Sequence, residues 1–94
     1  MMPHAFLDKT SGNYAVLYYK VKNGLVNVLL SYRKKGATSF HTVRLNQYAF
    51  PVPGKQLFFG DYINVCVVGN IVAATWTETK GVATVVKTRR ISIP

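Results

Sequence analysis

Acidic residues are scarce in this chain. Its 94 residues include three Asp and Glu against twelve Lys and Arg, which gives a formal net charge of +9. A surface with so little negative charge favours anionic partners, namely nucleic acid, anionic lipid or acidic glycan. The same charges also have a structural explanation, because Lys and Arg keep β-rich chains soluble and protect their edge strands. Composition therefore leaves both explanations open.

Cysteine and histidine are also rare, which limits metal and redox chemistry. Cys66 is the single cysteine, so the chain cannot form an intrachain disulfide or a cysteine-rich zinc site. It lies in an apolar strand pattern, and we expect its thiol to be buried and inert. His4 and His41 lack metal-ligand spacing, and we expect both at the surface. Phosphate-loop, nucleophile-elbow and zinc motifs are missing, so we expect no catalytic residue, metal site or cofactor.

Long hydrophobic runs are absent as well. No apolar stretch approaches the roughly 20 residues of a membrane-spanning helix, and no charged segment followed by an apolar one opens the chain. We therefore expect neither a membrane span nor an export signal, and the sequence does not indicate a cellular location. Hydrophobic residues still make up 49% of the chain, which is enough for a packed β core.

A repeat with an offset of 57 residues organises the chain. Gly12 and Asn13 recur as Gly69 and Asn70, and Gly24 recurs as Gly81. The same ungapped register aligns further residues of similar type: Tyr19 with Trp76, Val28 with Val85, Ser31 with Thr88, and Arg33 with Arg90. A duplicated strand unit that cannot bury both of its faces alone is typical of propellers and stacked arrays.

The local patterns predict only antiparallel strands. Runs rich in aromatic and β-branched residues alternate with turn signals at Gly12, Asn23-Gly24, Gly36 and Gly69-Asn70. The chain is predicted to be a single all-β domain, an antiparallel meander without helix. We divide it into a four-stranded repeat over residues 1–46, a connecting loop over 47–60, and a second repeat over 61–94 that lacks its outer strand.

Two segments resemble the repeats of sialidase-like propellers. The run from Ser31 to Phe40 resembles the Asp-box of BNR repeats, in which a Ser, an Asp, a Gly, a Thr and an aromatic residue close a hairpin. The run from Phe58 to Ile63, followed by Ala74 to Thr77, looks like the passage between two blades in that family. Lys35 stands at the Asp position, and we expect a degenerate turn because a lysine side chain accepts no hydrogen bond.

This resemblance implies about two propeller blades. In the family each blade is a four-stranded antiparallel sheet, and about six blades close into a ring with ligands bound near its axis. Two blades do not close a ring. The resemblance therefore implies either a fragment or a homo-oligomer that assembles into a larger ring, in which closure satisfies the exposed strand edges.

The resemblance favours a non-catalytic module that binds an acidic carbohydrate. Its ligand-binding candidates are the repeated pairs Tyr19 with Trp76 and Arg33 with Arg90, together with Asp61 and Tyr62. Each candidate also has a structural explanation. The aromatic residues could form the core between blades, the arginines could be solvated, and Asp61 could stabilise a turn.

Two other functions stay open. A sialidase-like glycoside hydrolase site, completed by further blades, needs facing carboxylates, and Asp61 and Glu78 are its candidates. A small basic β-protein would instead bind nucleic acid through two groups of basic residues: Arg33, Lys34, Lys35, Lys87, Arg89 and Arg90. Aromatic residues interleave poorly with these, so we rank nucleic acid below glycan.

Overall fold

The computed structural model describes residues 3–51, 63–80 and 83–94, which form two antiparallel β-sheets. Sheet 1 contains β1 (His4–Leu7), β2 (Tyr14–Lys22), β3 (Leu25–Arg33), β4 (His41–Arg44) and β5 (Phe50–Pro51). Sheet 2 contains β6 (Asn64–Val68), β7 (Ile71–Lys80) and β8 (Ala83–Ser92). The prediction of an all-β chain with antiparallel pairing is confirmed. In these ranges no helix has the length and apolar character that crossing a membrane would require.

Strand order follows the chain in both sheets. β1 to β4 lie side by side, and β5 pairs with β3 beyond the end of β4. The predicted connecting loop over 47–60 thus includes the short strand β5, and its residues 52–60 lie outside the described ranges. The turn between β2 and β3 has positive φ angles of 54° at Asn23 and 73° at Gly24. A two-residue hairpin turn of this kind requires such angles, and Asn-Gly adopts them readily.

The two sheets face each other across one hydrophobic core. Alternate residues of β2, β3, β6 and β7 are buried there, as expected for sheets with one covered face. The members of this core are Ala15, Leu17, Tyr19, Val26, Val28, Leu30, Tyr32, Leu45, Phe50, Val65, Val67, Val72, Ala74, Trp76 and Ile93.

Cys66 lies on the outward face of sheet 2 and is exposed. Its neighbours Val65 and Val67 are both buried in the core. Successive strand residues point to opposite faces, so the valines direct Cys66 toward solvent. The prediction of a buried thiol is therefore wrong, because an apolar run was interpreted as buried on both faces.

The repeat matches β2 to β7 but fails at the first hairpin. Buried residues of β2 match those of β7 at the offset of 57, as Leu17 with Ala74 and Tyr19 with Trp76 show. Six residues separate the closing pair of the β1 hairpin, Leu7 with Tyr14, whereas two residues separate Val68 from its partner Ile71. The ungapped register expected from the sequence therefore does not extend into β1 and β6.

The repeated turns meet at one end of the molecule. The Asn13 Nδ2 group donates to the Gly69 carbonyl at 2.7 Å and to Asn70 Oδ1 at 3.2 Å. The Asp8 carboxylate accepts hydrogen bonds from the Ser11 hydroxyl at 2.7 Å and from the Gly69 N–H at 2.8 Å. These two donors hold the pKa of Asp8 below its ordinary value. The contacts tie the first hairpin of sheet 1 to that of sheet 2.

Backbone groups and the Asn13 side chain hold the turn around Lys35 and Gly36. The Ala37 N–H donates to the Lys34 carbonyl at 3.0 Å, and Gly36 takes a φ of 83° inside the turn. The Lys35 N–H donates to Asn13 Oδ1 at 3.1 Å. The side chain of Asn13, from the preceding hairpin, thus helps to hold the backbone of this turn.

Candidate functional site

A groove of about 600 Å³ lies between the two sheets. One wall is the segment that follows β4, from Leu45 to Pro51, and the other surfaces come from β7 and β8. The side chains that give the groove its chemistry are Gln47, Tyr48, Trp76, Glu78, Lys87 and Arg89. The groove therefore combines aromatic rings, two cations and a carboxylate.

Asn46 holds the first wall against β3. Its Oδ1 accepts a hydrogen bond from the Val28 N–H at 2.8 Å, and its Nδ2 donates to the Val26 carbonyl at 3.3 Å and to the Tyr48 carbonyl at 2.8 Å. The Leu45 N–H also donates to the Val28 carbonyl at 2.8 Å. This side chain fills the gap between β4 and β5 on the edge of β3, so the wall has a defined position.

Tyr48 stands at the rim of the groove with 74% of its surface exposed. Its backbone is fixed by the Asn46 amide, at 2.8 Å from the Tyr48 carbonyl. An exposed tyrosine ring has only two side-chain torsions to order when it stacks on a ligand. Tyr48 is therefore suited to contact the apolar face of a sugar or a base.

Trp76 forms part of the groove floor and is only 3% exposed. Its indole N–H donates to Glu78 Oε2 at 2.7 Å. The two residues are two positions apart on β7, so both side chains lie on the inner face of sheet 2. The hydrogen bond satisfies the buried indole and fixes the Glu78 carboxylate at the groove.

Lys87 and Arg89 supply the positive charge. They lie opposite Trp76 and Ala74 respectively, on the inner face of sheet 2, and both side chains are exposed. The Arg89 guanidinium donates to the Leu45 carbonyl at 3.4 Å. A guanidinium has five N–H donors, so this one contact positions Arg89 while other donors can reach a ligand.

Tyr19, a sequence candidate, lies in the core between the sheets. Its hydroxyl accepts a hydrogen bond from the Thr77 N–H at 3.0 Å and donates to the Thr77 carbonyl at 3.1 Å. Burial raises the pKa of Tyr19, and the nearby Glu78 carboxylate raises it further. Its ring also packs edge-on against Phe50, with centroids 6.4 Å apart. These contacts are those of a residue that joins the sheets, whereas its repeat equivalent, Trp76, lines the groove.

The two arginine candidates lie away from the groove. Arg33 lies on the outward face of sheet 1, with its guanidinium 5.0 Å from the centre of the Phe40 ring. Arg90 is exposed and lies opposite Ala73, on the outward face of sheet 2. Asp61 and Tyr62 lie outside the described residues. Among the described residues of the proposed ligand-binding set, Trp76 alone lines the groove.

Sequence reasoning did not assign Tyr48, Glu78, Lys87 and Arg89 to a shared carbohydrate site. A partial signal existed for the two basic residues, because Val85, Lys87, Arg89 and Ile91 alternate and so share one face of β8. Their position opposite Trp76 depends on strand register, which the alternation alone does not fix.

Both histidines have partners. His4 is half-buried, and its Nδ1 accepts a hydrogen bond from the Val65 N–H at 3.2 Å, which links β1 to β6. His41 is exposed, and its ring lies 5.6 Å from that of Tyr32. In the described ranges, no three His, Cys, Asp or Glu side chains come close enough together to hold a metal ion.

No family model, curated protein or solved structure matches this chain.

Proposed function

We propose that this chain is a non-catalytic, sialidase-like propeller unit that binds an acidic carbohydrate in the groove. The observation that carries the proposal is the placement of Lys87 and Arg89 beside the buried Trp76 and the exposed Tyr48. The antiparallel sheets, packed face to face, are consistent with two neighbouring blades.

An acidic sugar presents three kinds of surface, and the groove has a partner for each. Its carboxylate can accept charge-assisted hydrogen bonds from Arg89 and Lys87. Its hydroxyl groups can donate to Glu78, whose position is fixed by the Trp76 indole. Its apolar C–H face can stack on Tyr48. A neutral sugar would use only the last two of these contacts.

The proposal includes assembly with further blades, either in a ring of several copies or in a longer protein. Its support is the exposure of apolar side chains on the outward faces of both sheets: Leu7 at 53%, Val68 at 71% and Val86 at 59%. A neighbouring blade would cover these faces. Light scattering after gel filtration tests self-assembly: a particle near three chain masses supports a closed ring, and a monomer counts against it.

The binding test compares sialyllactose with neutral lactose by isothermal titration calorimetry at moderate salt. We expect sialyllactose to bind more tightly, and Arg89→Gln or Lys87→Gln to weaken it by about tenfold or more, as for lost hydrogen bonds between charged groups. Arg33→Gln and Arg90→Gln are matched controls, because they remove the same charge outside the groove. Tyr48→Ala should weaken both sugars.

Other results would contradict the groove assignment or favour one of the two alternative functions. Equal affinity for the two sugars, or equal losses in Arg90→Gln and Arg89→Gln, would overturn the groove assignment. Release of sialic acid by the chain would identify the hydrolase alternative. Binding of an oligonucleotide that weakens steeply with salt and depends on Arg33 and Arg90 as strongly as on Arg89 would favour the nucleic-acid alternative.

A further inference from the structure

β8 is the last strand of sheet 2 within the described residues, and β7 is its one partner there. It has ten residues, which corresponds to about 33 Å at about 3.3 Å per residue. Such an edge presents a row of N–H and C=O groups that can pair with an additional strand. The question is what kind of strand this edge would accept.

Sheet 1 shows where an additional strand would lie. There Leu17 pairs with Leu30 of β3, and Leu30 pairs in turn with Val43 of β4. The residue of β7 that matches Leu17 is Ala74, and Ala74 pairs with Arg89 of β8. A strand added to β8 would therefore place a residue opposite Arg89 in the way that Val43 lies opposite Leu30.

The charges along β8 determine which residues a partner strand should carry. Lys87 and Arg89 lie on its inner face and Arg90 lies on its outer face, all three exposed. Directly opposed residues of opposite charge stabilise an antiparallel pair, and like charges destabilise it. Glutamate or aspartate opposite Lys87 and Arg89 would therefore favour pairing, while lysine or arginine would prevent it.

The described edge strands of a second copy do not provide such a strand. The strands at the sheet edges, β1, β4, β6 and β8, contain no Asp or Glu. Antiparallel pairing of β8 with another β8 would bring basic residues against each other. The charge on this edge therefore disfavours pairing with another β8 and favours an acidic strand, which the described edge strands of a second copy do not offer.

We propose that the β8 edge accepts an extended acidic segment of another protein, which adds to sheet 2 as an antiparallel strand. Carboxylates at alternate positions of the segment lie opposite Lys87 and Arg89, and main-chain hydrogen bonds to β8 supply the rest of the contact. The segment would engage the same Lys87 and Arg89 side chains as the carbohydrate, but neither interaction requires the other, so either proposal can fail alone.

Synthetic peptides test the edge without changing the protein. The probe is a fluorescein-labelled ten-residue peptide in which valine and glutamate alternate, and its binding is followed by fluorescence anisotropy. We expect a peptide with glutamine in place of glutamate to bind at least tenfold more weakly. We expect the same loss when alternate backbone nitrogens of the glutamate peptide are methylated, because methylation removes strand hydrogen bonds and leaves the charge unchanged.

A charge exchange in the protein provides the second test. The double variant Lys87→Glu with Arg89→Glu should lose the glutamate peptide and bind a peptide of alternating valine and lysine. Lys20→Glu with Lys22→Glu is the matched control, because these exposed residues of β2 change the net charge equally and should leave binding unaffected.

Three outcomes would overturn the proposal. These are no binding of the glutamate peptide, equal binding of its methylated form, and equal loss in the control variant. The last two would indicate attraction to the overall positive charge without strand addition.

Discussion

Hairpins β2–β3 and β7–β8 share a sequence pattern and differ in chemistry. In sheet 1, Tyr19 lies opposite Val28 and both are buried, whereas in sheet 2 Trp76 lies opposite Lys87. Lys87 is two positions beyond Val85, the sequence equivalent of Val28. β4 and β5 cover the edge of β3, and no described strand covers the edge of β8. In sheet 2 the strand pairing is shifted by two residues and the edge of β8 is uncovered. The face that belongs to the core in sheet 1 therefore carries exposed charged side chains in sheet 2.

The largest difference in stability should appear between variants that shorten Leu30 of β3 and Arg89 of β8, which occupy matching positions on the inner faces of the two sheets. Leu30→Ala removes a fully buried side chain and should lower the free energy of unfolding by about 2–5 kcal/mol. Arg89→Ala, at the matching place on β8, should change it by about 0.5 kcal/mol or less, because that side chain is exposed. Urea denaturation followed by tryptophan fluorescence measures both. Similar losses in the two variants would show that Arg89 serves the core and would remove the contrast between the sheets.

The covered edge of sheet 1 should depend strongly on Asn46. Asn46→Ala leaves the buried Val28 N–H and the Val26 carbonyl without the partners that the amide provides. Each unsatisfied buried group costs about 1–3 kcal/mol, so for these two groups we expect a loss of about 2–6 kcal/mol in the same denaturation experiment. The exposed Asn64→Ala is the control and should cost under about 0.5 kcal/mol. An equally small loss for Asn46→Ala would show that water replaces the amide.

Strand alternation and turn residues were sufficient to predict the strands and their antiparallel pairing. The Asn23-Gly24 turn and the alternation of buried residues in β2 and β3 are local properties of the sequence. Cys66 was misassigned because an apolar run does not reveal which of its two faces is covered. The short strand β5 was missed because it depends on Asn46, a single side chain 20 residues from the Val26 carbonyl that it binds.

The candidate site was less predictable because it depends on register. The hairpins close at Lys22 with Leu25 and at Lys80 with Ala83, an offset of 58 on each strand where the sequence repeat has 57. The extra residue on each strand shifts the pairing by two, so that Trp76 lies opposite Lys87 and not opposite Val85. Repeat equivalence paired Trp76, which lines the groove, with Tyr19, whose hydroxyl is bound to Thr77 in the core.

The smallest expected effect on stability is that of Asp8, at the end of the molecule where the first hairpins of the two sheets meet. The Ser11 hydroxyl and the Gly69 N–H hold the pKa of Asp8 below its ordinary value. A carboxyl group whose folded pKa is lowered stabilises the fold fully above its unfolded pKa, about 4, and this contribution is lost as the pH falls through the folded pKa. The stability difference between the wild type and Asp8→Asn should therefore be constant near neutral pH and should shrink in acid.

Ser11→Ala is the informative control for Asp8, because it removes the largest cause of the lowered pKa and keeps the Gly69 contact. Urea denaturation of the three proteins between about pH 7 and pH 2 should show the strongest acid dependence in the wild type, less in Ser11→Ala, and least in Asp8→Asn. A difference between wild type and Asp8→Asn that stays constant down to the lowest pH would mean that the carboxylate charge does not stabilise the junction. The amide of Asn13, which also binds Gly69, would then be sufficient to hold the two hairpins together.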